Sequence, residues 1–259
     1  MNYKNRKNKA KLIKFKDDNL KRLDALITLG IESSSDSDYK KSALLSYWLN
    51  DFNNYLAWEP EFVPAKLKRY ERGDVIKVNL GFNVGNEQGG MHYAVVLDNN
   101  NALNSGTITI IPLSSKKKGK AIHSLDVDLG NDIYQKIKLK LSNTDKALNE
   151  RIKESTQLIE MLAKLSNTDE VDAITFNEVY ETCKEQLNDA KKQLSSVQRL
   201  EKEIDRMKIG SVAVVSQITT ISKLRIYDPR NEGGVLSGIK LSPSNLDLLN
   251  EKIKELFLK

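Results

Sequence analysis

The sequence predicts an α+β protein: a small antiparallel barrel or curled sheet, with N-terminal helices, an inserted antiparallel coiled-coil hairpin and a C-terminal helix. Three observations predict it. Apolar residues recur at helical spacing from Leu12 to Leu56. Between Val75 and Val127, short β-branched runs alternate with Gly and Asn turns. From Leu148 to Ile204 the apolar period stretches to seven, and β-branched runs return only after Gly210.

The N-terminal zone, residues 1–70, reads as two amphipathic helices. Leu12, Ile13, Leu20, Leu23, Leu26 and Ile27 mark the first, and Ser33 to Asp38 interrupt it. The second is expected from about Asp38 to Trp58, with Leu44, Leu45, Trp48, Leu49, Phe52 and Leu56 on one side. Glu59-Pro60 and Val63-Pro64 stop it. Strands follow at Val75–Val78, Tyr93–Leu97, Thr107–Ile111 and Leu125–Val127. Gly73-Asp74, Gly89-Gly90, 98–101 and Ser105-Gly106 supply the turns.

The helical insertion is expected over 131–206. Its first helix shows Leu148, Ile152, Ile159 and Leu162. Its second shows Phe176, Cys183, Ala190, Val197 and Ile204 in one seam and Tyr180, Leu187 and Leu194 in its companion, with Glu201 loosening the next place. Lys-Leu-Ser-Asn-Thr-Asp occurs at 140–145 and again at 164–169, a composition that suits the start of each helix. Strands resume at Ser211–Ser216 and from Ile218. A helix from Ser244 to Leu258 closes the chain, with Leu248, Leu249, Ile253 and Leu256 inward. The expected domains are therefore 1–70, then 71–130 joined with 207–259, with 131–206 inserted.

Composition narrows the function classes. The 259 residues are 39% hydrophobic and 29% charged, too apolar for a disordered chain. One cysteine excludes an intramolecular disulfide and any cysteine-built zinc site, and two separated histidines disfavour a histidine-built metal site. No cofactor or metal is expected. No apolar run reaches the ~20 residues that span a bilayer, and the basic N-terminus lacks the apolar core of a secretory signal. A cytoplasmic protein without a membrane partner is the expectation. Nine bases and two acids in residues 1–22 give that tail +7, so the remaining residues carry about −1 of the net +6. Such a tail suits phosphate backbones, or is simply solvated.

The most informative segment runs from Arg72 to Leu97. A Gly-Asp start and a strand lead into a polar loop, Gly81 to Gly90, that ends Glu87-Gln88-Gly89-Gly90 before His92 enters an apolar strand. A glycine-rich loop on a rigid sheet bends closely over a ligand. Further on stand Pro112-Leu113-Ser114-Ser115, then Lys116-Lys117-Lys118-Gly119-Lys120, and Val212–Val215 followed by Ser216-Gln217-Ile218. These three blocks, in this order over about 73–128 and 209–225, resemble the MazF/PemK family of toxin endoribonucleases.

The resemblance implies an SH3-like barrel that forms a homodimer and cleaves single-stranded RNA without a metal. It also implies a cognate antitoxin protein that restrains it. It places His92 and Ser114 at the scissile phosphate, where the family usually has Arg and Thr. Serine keeps the hydroxyl donor. Histidine is the larger departure, because Arg is permanently charged and forks two donors whereas His titrates near neutrality.

The chemistry also follows from residue types. RNA carries its own nucleophile, the ribose 2′-OH, so the protein must move two protons and stabilise charge on phosphorus. His92 suits proton transfer and Ser114 a non-bridging oxygen. Lys116 and Lys117 supply fixed positive charge, and Glu87 is a second proton-transfer group or orients His92. Gln88 suits a base edge. Gly89, Gly90, Ser115, Gln217 and Arg225 complete the candidate substrate contacts. His123, without a motif around it, reads as structural, and Cys183 as core. The competing reading is a nucleic-acid-binding or assembly module with a degenerate site.

Overall fold

The computed structural model describes residues 4–117, 119–165 and 173–258. They fall into two compact units: residues 1–62 with 79–91, and residues 63–78 with 92–259.

The first unit holds α1 (Lys9–Ile31) and α2 (Asp36–Trp58), which pack on each other, and the loop 80–90. The Ser33–Asp38 break is a turn plus a cap. The Ser35 hydroxyl accepts from the Asp38 amide, and Asp36 and Asp38 sit where the positive end of the helix dipole favours them. Gly30 marks a close approach, since a Cβ there would stand 2.0 Å from Ser42 Oγ. Ser42 is the one fully buried residue on the two helices.

The second unit contains one antiparallel sheet. Among the described residues it has seven strands: β1 (Val75–Asn79), β2 (Met91–Val96), β3 (Thr107–Ser115), β4 (Val127–Asp128), β5 (Ser211–Ala213), β6 (Thr219–Ser222) and β7 (Ile226–Asp228). The ends of β1 and β2, at Asn79 and Met91, belong to the first unit. The pairing order is β4-β5-β3-β2-β1-β7, and β6 also pairs with β3. The long β3 organises everything. It meets β2 in the register Ala94↔Pro112, Val95↔Ile111 and Val96↔Ile110. On its other side lie β6, against Thr107–Ile110, and β5, against Leu113–Ser115. Strands from before and after the long helices thus share one sheet.

Two expectations need correction here. The described strands form an open sheet, with β4 and β7 at its ends, rather than a closed barrel. Closure requires the two end strands to exchange a ladder. β4 has two residues, β7 has three, and the β1–β7 ladder already shifts register between Lys77 and Val78. The strand expected to end at Ile111 also runs on through Pro112 to Ser115. Proline lacks a ladder donor. It is tolerated because the neighbouring chain turns away between β5 and β6, leaving only the Val214 amide to meet the Pro112 carbonyl at 3.0 Å.

α3 (Asp132–Leu165) and α4 (Ala173–Arg206) pack against each other. On α4 the seam through Cys183, Ala190, Val197 and Ile204 is inward. The companion seam is Val179, Gln186, Gln193, Leu200 and Met207, one residue earlier than expected; Tyr180, Leu187 and Leu194 are exposed. On α3, Ile152 and Ile159 are likewise exposed, while Arg151, Ser155 and Leu158 face inward. Polar residues occupying inward places explain why an apolar period chose the wrong neighbour. The Lys-Leu-Ser-Asn-Thr-Asp copy at 140–145 lies inside α3, not at its start. Its Thr144 hydroxyl donates back to the Lys140 carbonyl at 2.8 Å. Residues 166–169 of the second copy lie outside the described residues.

The core joins the sheet (Val75, Val95, Ile111, Leu113, Val127, Ala213) to the base of the long helices (Ile133, Ile137, Leu200, Met207). The segment Leu236–Leu241 and α5 (Pro243–Phe257), through Leu249, complete it. Ser242 caps α5, and Leu246 takes the inward place expected of Leu248, which is exposed. Among the described residues, no helix is long and apolar enough to cross a membrane.

Candidate functional site

The glycine-rich loop is a closed turn within the first unit. The Leu80 amide donates to the Gly90 carbonyl at 2.8 Å, and the Gly90 amide to the Gly81 carbonyl at 2.6 Å. Asn83 Nδ2 bonds the Gln88 carbonyl at 2.6 Å across the loop. Gly89 is required by contact, because a Cβ would stand 2.7 Å from the Gly81 carbonyl oxygen. Gly90 is required by conformation, with φ +81°. Glu87 is exposed at the tip, while Gln88 and Gly89 are half-buried. The Asn79 side chain anchors the base of the loop, accepting from the Gly81 amide at 2.9 Å and donating to Asp51 of α2 at 2.8 Å.

His92, Ser114, Ser115, Lys116, Lys117, Gln217 and Arg225 belong to the second unit. His92 lies on β2 with the parity of Ala94 and Val96, opposite to the core-facing Val95. The β2–β3 ladder ends at Ala94↔Pro112; beyond it the His92 side chain itself reaches β3 at Leu113, the residue before Ser114. The imidazole Nδ1 is 2.8 Å from the Leu113 carbonyl. A carbonyl only accepts, so Nδ1 is the donor of this bond, and in the neutral imidazole Nε2 is then the ring nitrogen with the lone pair. Both His92 and Ser114 are half-buried, and Ser114 is fixed on its other side by pairing with Val212 of β5.

The lysine cluster divides. Lys116 Nζ pairs with Asp128 Oδ2 at 2.5 Å, and the Lys116 ammonium holds the Asp128 carboxyl below the usual carboxylate range. Its charge is therefore largely spent locally. Lys117 is exposed and accepts the Lys120 amide in a turn; Lys118 lies outside the described residues. Ser115 is exposed at the end of β3, opposite Ser211. Gln217 sits half-buried in the short 3-10 turn 215–217 between β5 and β6. Arg225 is not brought to this end of the sheet. It follows Ser222, which pairs with Thr107, and Thr107 lies seven residues or ~23 Å along β3 from Ser114. His123 is exposed in a turn, where its Nδ1 accepts the Leu125 amide at 3.2 Å.

Sequence reasoning missed one polar cluster. On the opposite face of β2, the Tyr93 hydroxyl and Lys77 Nζ both bond Glu203 Oε1 of α4, the latter at 2.6 Å, and Lys77 lies 5.4 Å from the Tyr93 ring centre. Burial, and then the Glu203 carboxylate, push the Tyr93 hydroxyl far above its ordinary range. Glu203 stands 126 residues beyond Lys77, and no local pattern joins them.

In class, then, this is an α+β protein with a glycine-turned loop and, on an antiparallel sheet, an imidazole bonded to the strand residue that precedes a serine. Residues 71–187 match the family model of the PemK-like, MazF-like toxin of type II toxin–antitoxin systems. The match runs from the strand before the loop, through α3 and into α4, and so bears out the motif resemblance over that span; the block at 212–221 lies beyond it. The family suggests a toxin of a toxin–antitoxin system, generally an endoribonuclease, with RNA as substrate and an antitoxin as partner. No curated protein matches the chain.

Proposed function

We propose that the protein is the toxin of a toxin–antitoxin pair, acts in the cytoplasm, and cleaves single-stranded RNA without a metal. The observation that supports this most is the hydrogen bond from His92 Nδ1 to the Leu113 carbonyl, which brings the imidazole to the residue before Ser114 and, in the neutral ring, leaves Nε2 as the base. Nε2 takes the proton from the ribose 2′-OH. The 2′-oxygen attacks the adjacent phosphorus, and the bond to the 5′-oxygen breaks as that oxygen takes up a proton from solvent, to which the protonated His92 returns its own. The products are a 2′,3′-cyclic phosphate and a 5′-hydroxyl. The Ser114 hydroxyl donates to a non-bridging oxygen, and Lys117 contributes positive charge alongside Lys116. Ser115 and Gln217 are candidate contacts to the flanking nucleotides, and so, within their own unit, are Gln88, Gly89 and Gly90. Glu87 is a candidate second proton-transfer group; Arg225 is a candidate phosphate contact at the far end of β3. The sheet and its turns are read as an SH3-like fold carrying the inserted pair 131–206, with 1–70 as a separate helical region whose basic tail touches nucleic acid.

Substitution tests the assignment. His92→Ala is expected to lower the cleavage rate by roughly 10²–10⁴-fold, the range of a lost general base. Ser114→Ala is expected to cost about 10²-fold, with RNA affinity retained in both. Full activity in His92→Ala would remove the proposed base. Wild-type protein that binds RNA and leaves it intact would favour the binding-module reading.

A further inference from the structure

The Lys77–Tyr93–Glu203 cluster sets two charges into the interior of the second unit, where the Lys77 and Glu203 side chains are 16% and 12% exposed. Taking an ammonium and a carboxylate out of water costs about what their attraction returns, so such a pair adds little to stability. What it adds is geometry. Both bonds end on one atom, Glu203 Oε1, which ties α4 to β1 through Lys77 and to β2 through the Tyr93 hydroxyl. Burial keeps that hydroxyl protonated, so it is a donor to the carboxylate. The carboxylate is itself firmly seated. Leu200 and Met207, three residues before it and four after, lie on the same side of the helix and are buried in the core.

We infer that Glu203 is a positioning residue for the candidate base, holding His92 in place through Tyr93; its effect on catalysis rests on the ribonuclease reading of His92. His92 and Tyr93 are consecutive on β2, so one stretch of backbone carries both side chains, to opposite faces of the sheet. The β2–β3 ladder ends at Ala94↔Pro112, two residues short of His92. Nearer His92, side chains tie the strand down on both faces. On one face His92 Nδ1 reaches the Leu113 carbonyl of β3 at 2.8 Å, and on the other the Tyr93 hydroxyl reaches Glu203 of α4. At its other edge β2 adjoins β1, whose Lys77 is bonded to the same Glu203 oxygen at 2.6 Å. Releasing Tyr93 lets the start of β2 rotate, and the imidazole turns with it. A misplacement of about 1 Å at a reacting group costs up to roughly 10²-fold in rate. The inserted pair 131–206 thereby supplies a side chain to the strand that carries the base.

Two readouts on the full chain test this, and the first needs no RNA. The protein has two histidines with opposite hydrogen bonds: Nδ1 of His92 donates to Leu113, whereas Nδ1 of His123 accepts the Leu125 amide. Nitrogen-15 NMR at a pH where both rings are neutral is expected to show His92 protonated at Nδ1 and His123 at Nε2. Tyr93→Phe removes the hydroxyl and leaves the Lys77–Glu203 pair; it is expected to turn the His92 signal into a mixture of tautomers while His123 stays unchanged. Lys77→Met with Glu203→Met removes both charges together, strands neither, and is expected to do the same without loss of helicity. Glu203→Gln keeps an acceptor at Oε1 and is expected to keep the wild-type signal. The second readout is cleavage, where Tyr93→Phe is expected to lower kcat about 10-fold with KM within roughly twofold, and Glu203→Gln to recover most of that loss. Tyr93→Phe with the wild-type His92 signal and kcat overturns the inference. So does a Met–Met variant whose His92 signal matches the wild type. Wild-type protein that leaves RNA whole while Tyr93→Phe still alters the His92 signal contradicts the ribonuclease reading and supports the hold on His92.

Discussion

The protein contains two helical hairpins, and they are stabilised in different ways. α3 and α4 are rooted: Ile133, Ile137, Leu200 and Met207 at their base are buried in the same cluster as β3 and β5. Further out, their shared seam turns polar, with Ser155 facing Gln186 and the Gln193 side-chain oxygen buried without a hydrogen-bond partner among the described residues. α1 and α2 bury almost nothing of their own, and their tightest point is the Gly30–Ser42 approach. A helix pair is thus stabilised either by a third layer beneath it or by a partner outside it. The α3–α4 pair has its third layer within its own unit, whereas α1 and α2 leave large apolar side chains such as Phe15, Leu29 and Tyr47 exposed.

The largest effect expected from that difference is at Leu200. Leu200→Ala removes a fully buried side chain where α4 meets the sheet, and is expected to cost about 2–5 kcal/mol in denaturant unfolding. A loss below 0.5 kcal/mol would mean that the base of α4 is not part of the core. Gly30→Val probes the other hairpin. Its Cβ would stand 2.0 Å from Ser42 Oγ and 3.1 Å from Ser42 Cβ, so the helices must separate, at about 1–3 kcal/mol. Amide exchange is expected to speed up in α1 and α2 while β3 keeps its protection; equal loss in both would show that the two units unfold together.

The smallest effect concerns pH. Burial raises the Asp132 carboxyl, but hydrogen bonds from Ser242, Lys136 and Asn245 outweigh it and leave the group below its ordinary value. Just below the ordinary carboxylate range the unfolded chain then binds more protons than the folded one. The stabilisation is complete above that range and is lost as pH falls through the lower folded value. Asp132→Asn should therefore lose less stability on acidification than the wild type, read from melting temperatures across the acid range. An identical acid slope would contradict the linkage.

Much of this was legible in the sequence, and the errors have physical causes. The first three strands, α2 and α5 were announced by β-branched runs, proline stops and helical spacing, all local signals. The motif singled out His92 and Ser114, and the His92 imidazole reaches β3 at Leu113, the residue before Ser114. The α4 companion seam was misplaced because Gln186 and Gln193 hold inward positions while Leu187 and Leu194 point outward. The Lys77–Tyr93–Glu203 cluster and the Lys116–Asp128 pair were illegible because their partners meet only through the sheet. Arg225 was read as part of the lysine rim, yet β6 carries the chain along Ile110 to Thr107 before it, to the end of β3 away from Ser114.

The most direct measurement of the central claim is the end chemistry of RNA cut by the purified protein in EDTA. Attack by the 2′-oxygen predicts fragments ending in a 2′,3′-cyclic phosphate, each followed by a fragment with a 5′-hydroxyl. Fragments bearing 5′-phosphates, or strands left whole under conditions where the protein binds them, would contradict it.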